Sequence, residues 1–203
     1  MKAFSNLLSD LILTSSRNRK LSLLEQYFSS TPDPDRGYAL AALTGSLNFK
    51  NIKASFFKDL IKEKQDEHLF DLSYDYVGDL AETISLLWDQ EKSGNMPRLS
   101  SLFENLKKAK TDELNNYIIN ILNISTADQR WAFIKLFTGG LRIGVSSRLV
   151  KQALANYGNV DLEEIEKIWH GLHFPYFNLF SWLENKGSKP KISIYDIFHP
   201  MML

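Results

Sequence analysis

Apolar residues recur at the helical period along nearly the whole chain. No stretch before Lys189 alternates with the period of two that a half-buried strand needs. The first segment sets the pattern: Phe4, Leu7, Leu8, Leu11 and Ile12 fall at i, i+3, i+4, i+7 and i+8, one apolar face for packing on a core. Ser15 or Ser16 caps a second helix with Leu21, Leu24, Tyr27 and Phe28 on its inner side. The turn TPDPDRG (Thr31–Gly37) follows. Asp35 or a neighbour opens a helix carrying Tyr38, Leu40, Ala41 and Leu43, and Gly45 ends it. Further helices are predicted over Ile52–Lys64 and Asp66–Tyr76, and Asp79 with Glu82 three residues on starts one that ends near Trp88. After the polar loop Asp89–Arg98 the pattern resumes over Leu99–Ala109, Thr111–Ile124, Thr126–Phe137, Ser146–Tyr157, Asp161–His170 and Pro175–Asn185. Such a chain packs helix on helix. The expected fold is all-α: a single compact domain of about a dozen short helices over residues 1–188, with an extended C-terminal tail over 189–203. Within that tail, Lys191–Phe198 reads as extended backbone.

Size and composition bound the function classes. At 203 residues, with 44% hydrophobic and 24% charged residues, the chain suits one well-buried core and is too apolar for disorder. Lys plus Arg number 24 and Asp plus Glu 24, so any electrostatic role must come from local segregation of charge. With no cysteine, disulfides and thiolate metal sites are excluded, and a reducing cytoplasm is the expected location. No apolar run reaches the roughly 20 residues of a membrane-spanning helix. Asn6, Ser9 and Asp10 break the start of the chain in a way that a secretory signal does not.

The least ordinary stretch is TGGLRIGVSSRLVKQALA, Thr138–Ala155. Gly139-x-x-x-x-Gly144 has the frame of a phosphate-binding P-loop, but Val145 stands where that loop needs lysine, and Arg130–Phe137 before it reads as helix rather than strand. A nucleotide loop is therefore excluded. Helix–loop–helix logic fits better. Gly139 and Gly140 end one helix, and Gly144 and Ser146 open another whose apolar side is Val145, Leu149, Val150, Ala153 and Leu154. First-turn amides lack internal partners and lie at the positive end of the helix dipole, which suits an anion. Gly144 would let a phosphate approach the backbone, Ser146 and Ser147 would donate hydroxyls, and Arg142 would reach outward. Over Ser125–Ala155, Arg130, Lys135, Arg142, Arg148 and Lys151 stand against Asp128 alone; over Asn156–Lys186, two lysines stand against five acids. A basic hairpin of this kind is either a phosphate-backbone footprint or a tight turn with solvated cations.

A second basic point, Ser15–Leu21, combines Arg17, Asn18, Arg19 and Lys20 with helix-start serines, and it carries the same two readings. No metal site is expected: capping accounts for Asp79 and Glu82, and His170 and His173 fit packing near a helix end. No nucleophile–base constellation is evident by spacing.

From Arg130 to Tyr157 the sequence RWAFIKLFTGGLRIGVSSRLVKQALANY resembles the DNA-binding domain of ATP-dependent DNA ligases, in which a helix, a short Gly-Leu-Arg-Ile-Gly loop and a second helix recur. Ser16–Phe28 is similar to the family's early Ser-Arg helix. Val77–Leu87 is similar to its Gly-Asp…Ala-Glu segment, with the two pairs closer together here, and Tyr195–Leu203 to its Pro-Met-Leu approach to the adenylation domain. TPDPDRGYALAALTG resembles the bacterial branch.

The resemblance implies a monomeric, sequence-independent binder of nicked double-stranded DNA through minor groove and phosphates, serving repair, replication or recombination in the cytoplasm. It implies minor-groove contacts at Thr138, Gly139, Gly140, Arg142 and Gly144; helix geometry adds expected phosphate contacts at Ser146, Ser147, Arg148 and Lys151, with a second set at Arg17, Asn18 and Lys20. Leu141 and Ile143 fall on the same stretch, with at least one expected to point into the core. The family's Lys-x-Asp-Gly adenylation motif occurs nowhere in this sequence. The expected fragment is therefore non-catalytic, with the tail from 189 leading to an absent adenylation domain. ATP and Mg²⁺ are implied for the full-length ligase, and its adenylation and OB-type domains would be the partners in the same protein. The rival expectation is an all-α interaction or scaffolding domain whose basic hairpin is incidental.

Overall fold

A computed structural model describes residues 1–47, 52–89, 94–138 and 141–191. Among these residues there are twelve α-helices, one 3-10 turn and no strand, as the helical periodicity requires. No described helix is long and apolar enough to cross a membrane. Of the tail, only residues up to Lys191 are described, so the extended reading of Lys191–Phe198 lies outside the described residues beyond that point.

The helices sort into two compact units. Unit 1 comprises Met1–Leu13 and Leu47–Ile143. It contains α1 (Lys2–Leu13), α4 (Ala54–Lys62), α5 (Glu67–Val77), α6 (Leu80–Leu87), α7 (Leu99–Lys108), α8 (Thr111–Ile124) and α9 (Ala127–Lys135). Helices α1 and α6 both pack on α9. Phe57, Phe133 and Phe137 form an edge-packed cluster with centroids 5.1–6.3 Å apart, a geometry that adds to the burial of three aromatic rings. Phe4, Leu7, Leu8 and Leu11 of α1 are buried, but Ile12 is 48% exposed and so leaves the predicted inner face. The apolar period identifies the face of a helix; it does not say where along that face the neighbouring helix stops.

Two cations of unit 1 that the sequence counted toward a basic hairpin are internal. Arg130 is 5% exposed and donates to the Trp88 carbonyl, while the Trp88 indole donates to Asn123 Oδ1 at 2.9 Å. Lys135 is 7% exposed and pairs with Asp79, whose carboxylate also accepts from the Glu82 amide at 3.0 Å to cap α6. Both are committed to partners inside unit 1, Arg130 to a carbonyl and Lys135 to a carboxylate.

Unit 2 comprises Thr14–Ser46 and the chain from Gly144 onward. It contains α2 (Arg17–Ser30), α3 (Asp35–Leu43), α10 (Ser147–Gly158), α11 (Leu162–Ile168) and α12 (Phe177–Leu183). Helix α10 is central, packed along α2 and against α3, α11 and α12. The helix predicted over Asp161–His170 tightens into a 3-10 turn at Trp169–Gly171. The one predicted from Pro175 starts two residues later, because Tyr176 takes a left-handed backbone (φ 69°) that turns its ring inward, stacked on Trp169 at 6.3 Å.

Charge holds unit 2 together at Arg36. Its guanidinium donates to both oxygens of Asp33 at 2.8 and 2.7 Å, to Glu184, and to the Phe28 carbonyl and the Tyr157 hydroxyl at 3.4 Å, and it lies 4.2 Å from the Phe180 ring centroid. The Tyr157 hydroxyl and Lys186 also donate to Glu184, at 2.8 and 2.7 Å. Arg36 first, then Lys186, hold the Glu184 carboxyl at about 2, well below its ordinary 4.5. A carboxyl depressed in the folded state adds stability that is complete above its unfolded value and is lost as pH falls toward the folded one. Resistance to urea unfolding is therefore expected to fall progressively from about pH 4.5 down to pH 2. Glu184→Gln should flatten that dependence; an unchanged acid limb in this variant would refute the assignment.

Candidate nucleic-acid interface

The most specific sequence element, GGLRIG, is divided between the units: Ile143 ends a segment of unit 1 and Gly144 begins one of unit 2. Gly139 and Gly140 lie outside the described residues.

In unit 2, two helices open on one hollow. At α2, Ser16 takes an extended backbone and its hydroxyl oxygen accepts from the Arg19 amide at 3.3 Å. At α10, Ser146 does the same for the Leu149 amide at 3.2 Å. These caps satisfy one orphan donor each. The amides of Arg17, Asn18, Ser147 and Arg148, earlier in the same first turns, have no acceptor among the described residues. A hollow of about 530 Å³ has walls that include Ser15, Arg17, Lys20, Gly144, Ser146 and Leu149, so that Arg17 is the one of these four residues that lines it. Such a hollow offers a negative ligand the uncommitted Arg17 amide and the positive ends of two helix dipoles.

The cations around it differ in availability. Arg17 and Asn18 are exposed, and Arg17 has no ion-pair partner among the described residues. Lys20 is buried and donates to the Gly144 carbonyl at 2.8 Å. Gly144 takes φ +66°, which favours glycine, and a Cβ built on it would lie 2.6 Å from Lys20 Nζ. The space a side chain would take at Gly144 is thus bordered by Lys20 Nζ, while Gly144 itself is exposed and lines the hollow. Along α10, Arg148 is exposed and sits 3.7 Å from Glu166, while Lys151 is half-buried with its Nζ 4.6 Å from the Trp169 ring centroid. Both reach sideways toward α11 and the turn after it. Ser147 is half-buried.

Arg142 belongs to unit 1. Leu141 and Ile143 are both buried and anchor the loop on either side, so the side chain between them is sent outward. Its φ of 48° is left-handed, a conformation that costs a non-glycine residue energy and that tends to persist where a side chain must be presented. Arg142 borders a groove of about 560 Å³ whose apolar wall includes Ile12, Leu13, Leu86 and Trp131. Thr138 is half-buried in the same unit.

Sequence reasoning missed the Lys20–Gly144 bond, which joins positions 124 residues apart, and it missed the burial of Arg130 and Lys135. Only one signal was available for the latter, the capping carboxylate of Asp79, and nothing local connects it to Lys135. Among the described residues, no group of three or more His, Asp or Glu side chains is placed to hold a metal ion.

No curated protein matches the chain. The family model described as DNA ligase N terminus matches residues 1–155, which takes in α1 through most of α10 and both halves of the hollow. The chain therefore belongs to that family, the N-terminal domain of ATP-dependent DNA ligases.

Proposed function

We propose that the chain holds nicked double-stranded DNA for sealing, through phosphates and the minor groove and without reading base sequence. The observation that carries this reading is the hollow of unit 2, walled by the start of α2 with its free Arg17 amide and by the cap of α10, Ser146, which directly precedes the free amides of Ser147 and Arg148. Phosphate oxygens accept from those amides, and the helix dipoles favour their charge. Backbone N–H groups and cations recognise charge and spacing common to every sequence, which suits an enzyme that must seal any nick. Arg142 supplies a protruding cation on unit 1, of the kind that enters a minor groove.

The bond chemistry of the family requires an adenylated lysine in a Lys-x-Asp-Gly motif, absent from this sequence. ATP and Mg²⁺ are assigned to the adenylation machinery of the full ligase. Within a monomeric cytoplasmic ligase, the chain's own contribution is binding and orientation of the nick, in repair, replication or recombination.

Arg142→Glu is expected to weaken binding of all duplex sequences by a similar factor, about tenfold at 0.1 M salt. Fluorescence anisotropy with several unrelated nicked duplexes measures this. Unchanged affinity would remove Arg142 from the interface, and an effect confined to one sequence would point to base reading instead.

A further inference from the structure

Lys20 stands apart from its neighbours. Arg17 and Arg19 are exposed, whereas Lys20 is 9% exposed and commits its ammonium to the Gly144 carbonyl. No carboxylate pairs with it among the described residues. The bond runs from the first turn of α2 to the residue two places before the cap of α10. It lands on a backbone position that glycine alone occupies without strain and whose missing side chain leaves room for Nζ.

We infer that Lys20 is a positioning residue. By holding Gly144 in its left-handed turn, it sets where Ser146 and the free amides of Ser147 and Arg148 stand, without itself meeting phosphate. The inference rests on the reading of the hollow as a DNA-contacting surface. A charge-assisted bond to a carbonyl is stronger than a neutral one and can fix a turn that no regular structure supports. A nearly buried ammonium already bonded to backbone gives up the exposed cation's capacity to neutralise a phosphate and so release counterions condensed on the DNA. Arg17, on the same hollow, retains it.

Binding of the full chain to a nicked duplex, measured across a range of salt, tests this with Lys20→Met, Lys20→Arg and Gly144→Ala, alongside amide hydrogen exchange of the free proteins. Lys20→Met is expected to lower affinity about tenfold at fixed salt while leaving the slope of log K against log salt unchanged. Lys20→Arg should restore most of the loss. Gly144→Ala, which displaces Nζ from the other side of the bond, should reproduce it and keeps the comparison available if Lys20→Met does not fold. In the free protein, protection of the Leu149 and Val150 amides, both held by Ser146, should fall in Lys20→Met and Gly144→Ala and persist in Lys20→Arg. A slope reduced by about one unit would make Lys20 a phosphate contact and overturn the inference. Unchanged affinity together with unchanged exchange would overturn it too. If the wild-type chain fails to bind duplex, the functional reading falls, while the exchange pattern still decides whether Lys20 sets the start of α10.

Discussion

Replacing Arg36 with methionine is expected to cost about 3 kcal/mol of stability, among the largest losses available to a single side chain of unit 2. Methionine fills similar space and keeps contact with Phe180, but it leaves Glu184 and Asp33 without their fork and the Phe28 carbonyl without its side-chain donor. Removing one partner of a buried pair costs more than the pair itself contributes, because an uncompensated charge stays behind. The double variant Arg36→Met/Glu184→Gln should therefore be more stable than Arg36→Met alone. Arg36→Lys should recover little, since an ammonium cannot grip Asp33 through two parallel bonds. Urea denaturation of the four proteins provides the comparison. A loss below about 1 kcal/mol in Arg36→Met would mean that the network is no stronger than an exposed ion pair.

Charge reversal at the mouth of the hollow is expected to have the largest effect on binding. Arg17→Glu should weaken duplex affinity by at least about tenfold at 0.1 M salt and lower the salt slope by about one unit or more. Arg17 is exposed and carries no ion pair among the described residues, so its reversal should leave thermal stability nearly unchanged. This separates it from Lys20→Met, where affinity falls with the slope intact. Two variants on one hollow thus report different physics, one the release of counterions and the other the placement of amides.

The extent to which sequence anticipated this structure follows from the range of the forces involved. Helix starts at Asp79, Thr126 and Ser146, and the cap at Ser16 out of the Ser15–Ser16 pair, are legible because each cap bonds an amide three residues on, well within the reach of a local pattern. The span Thr111–Ile124 of α8 and the stop at Gly45 were equally local. Charge was read less well. Arg130 and Lys135 look like surface cations in a count, yet they are consumed by Trp88 and Asp79, 42 and 56 residues away. The basic hairpin is therefore poorer in available charge than its composition implied. The Gly144 carbonyl also accepts from Lys20, a partner that no spacing rule could supply. The helix expected from Pro175 begins at Phe177, since Tyr176 takes a left-handed backbone that its sequence does not signal.

The proposed role depends on charge recognition of a DNA backbone, and the most direct measurement is the affinity of the chain for a nicked duplex as a function of salt, repeated on several unrelated sequences. The expected result is a linear fall of log K with log salt, each neutralised phosphate contributing about 0.9 to the slope, and the same line for every sequence. Binding that is absent at low salt, or that ranks the sequences by more than a few-fold, would contradict it.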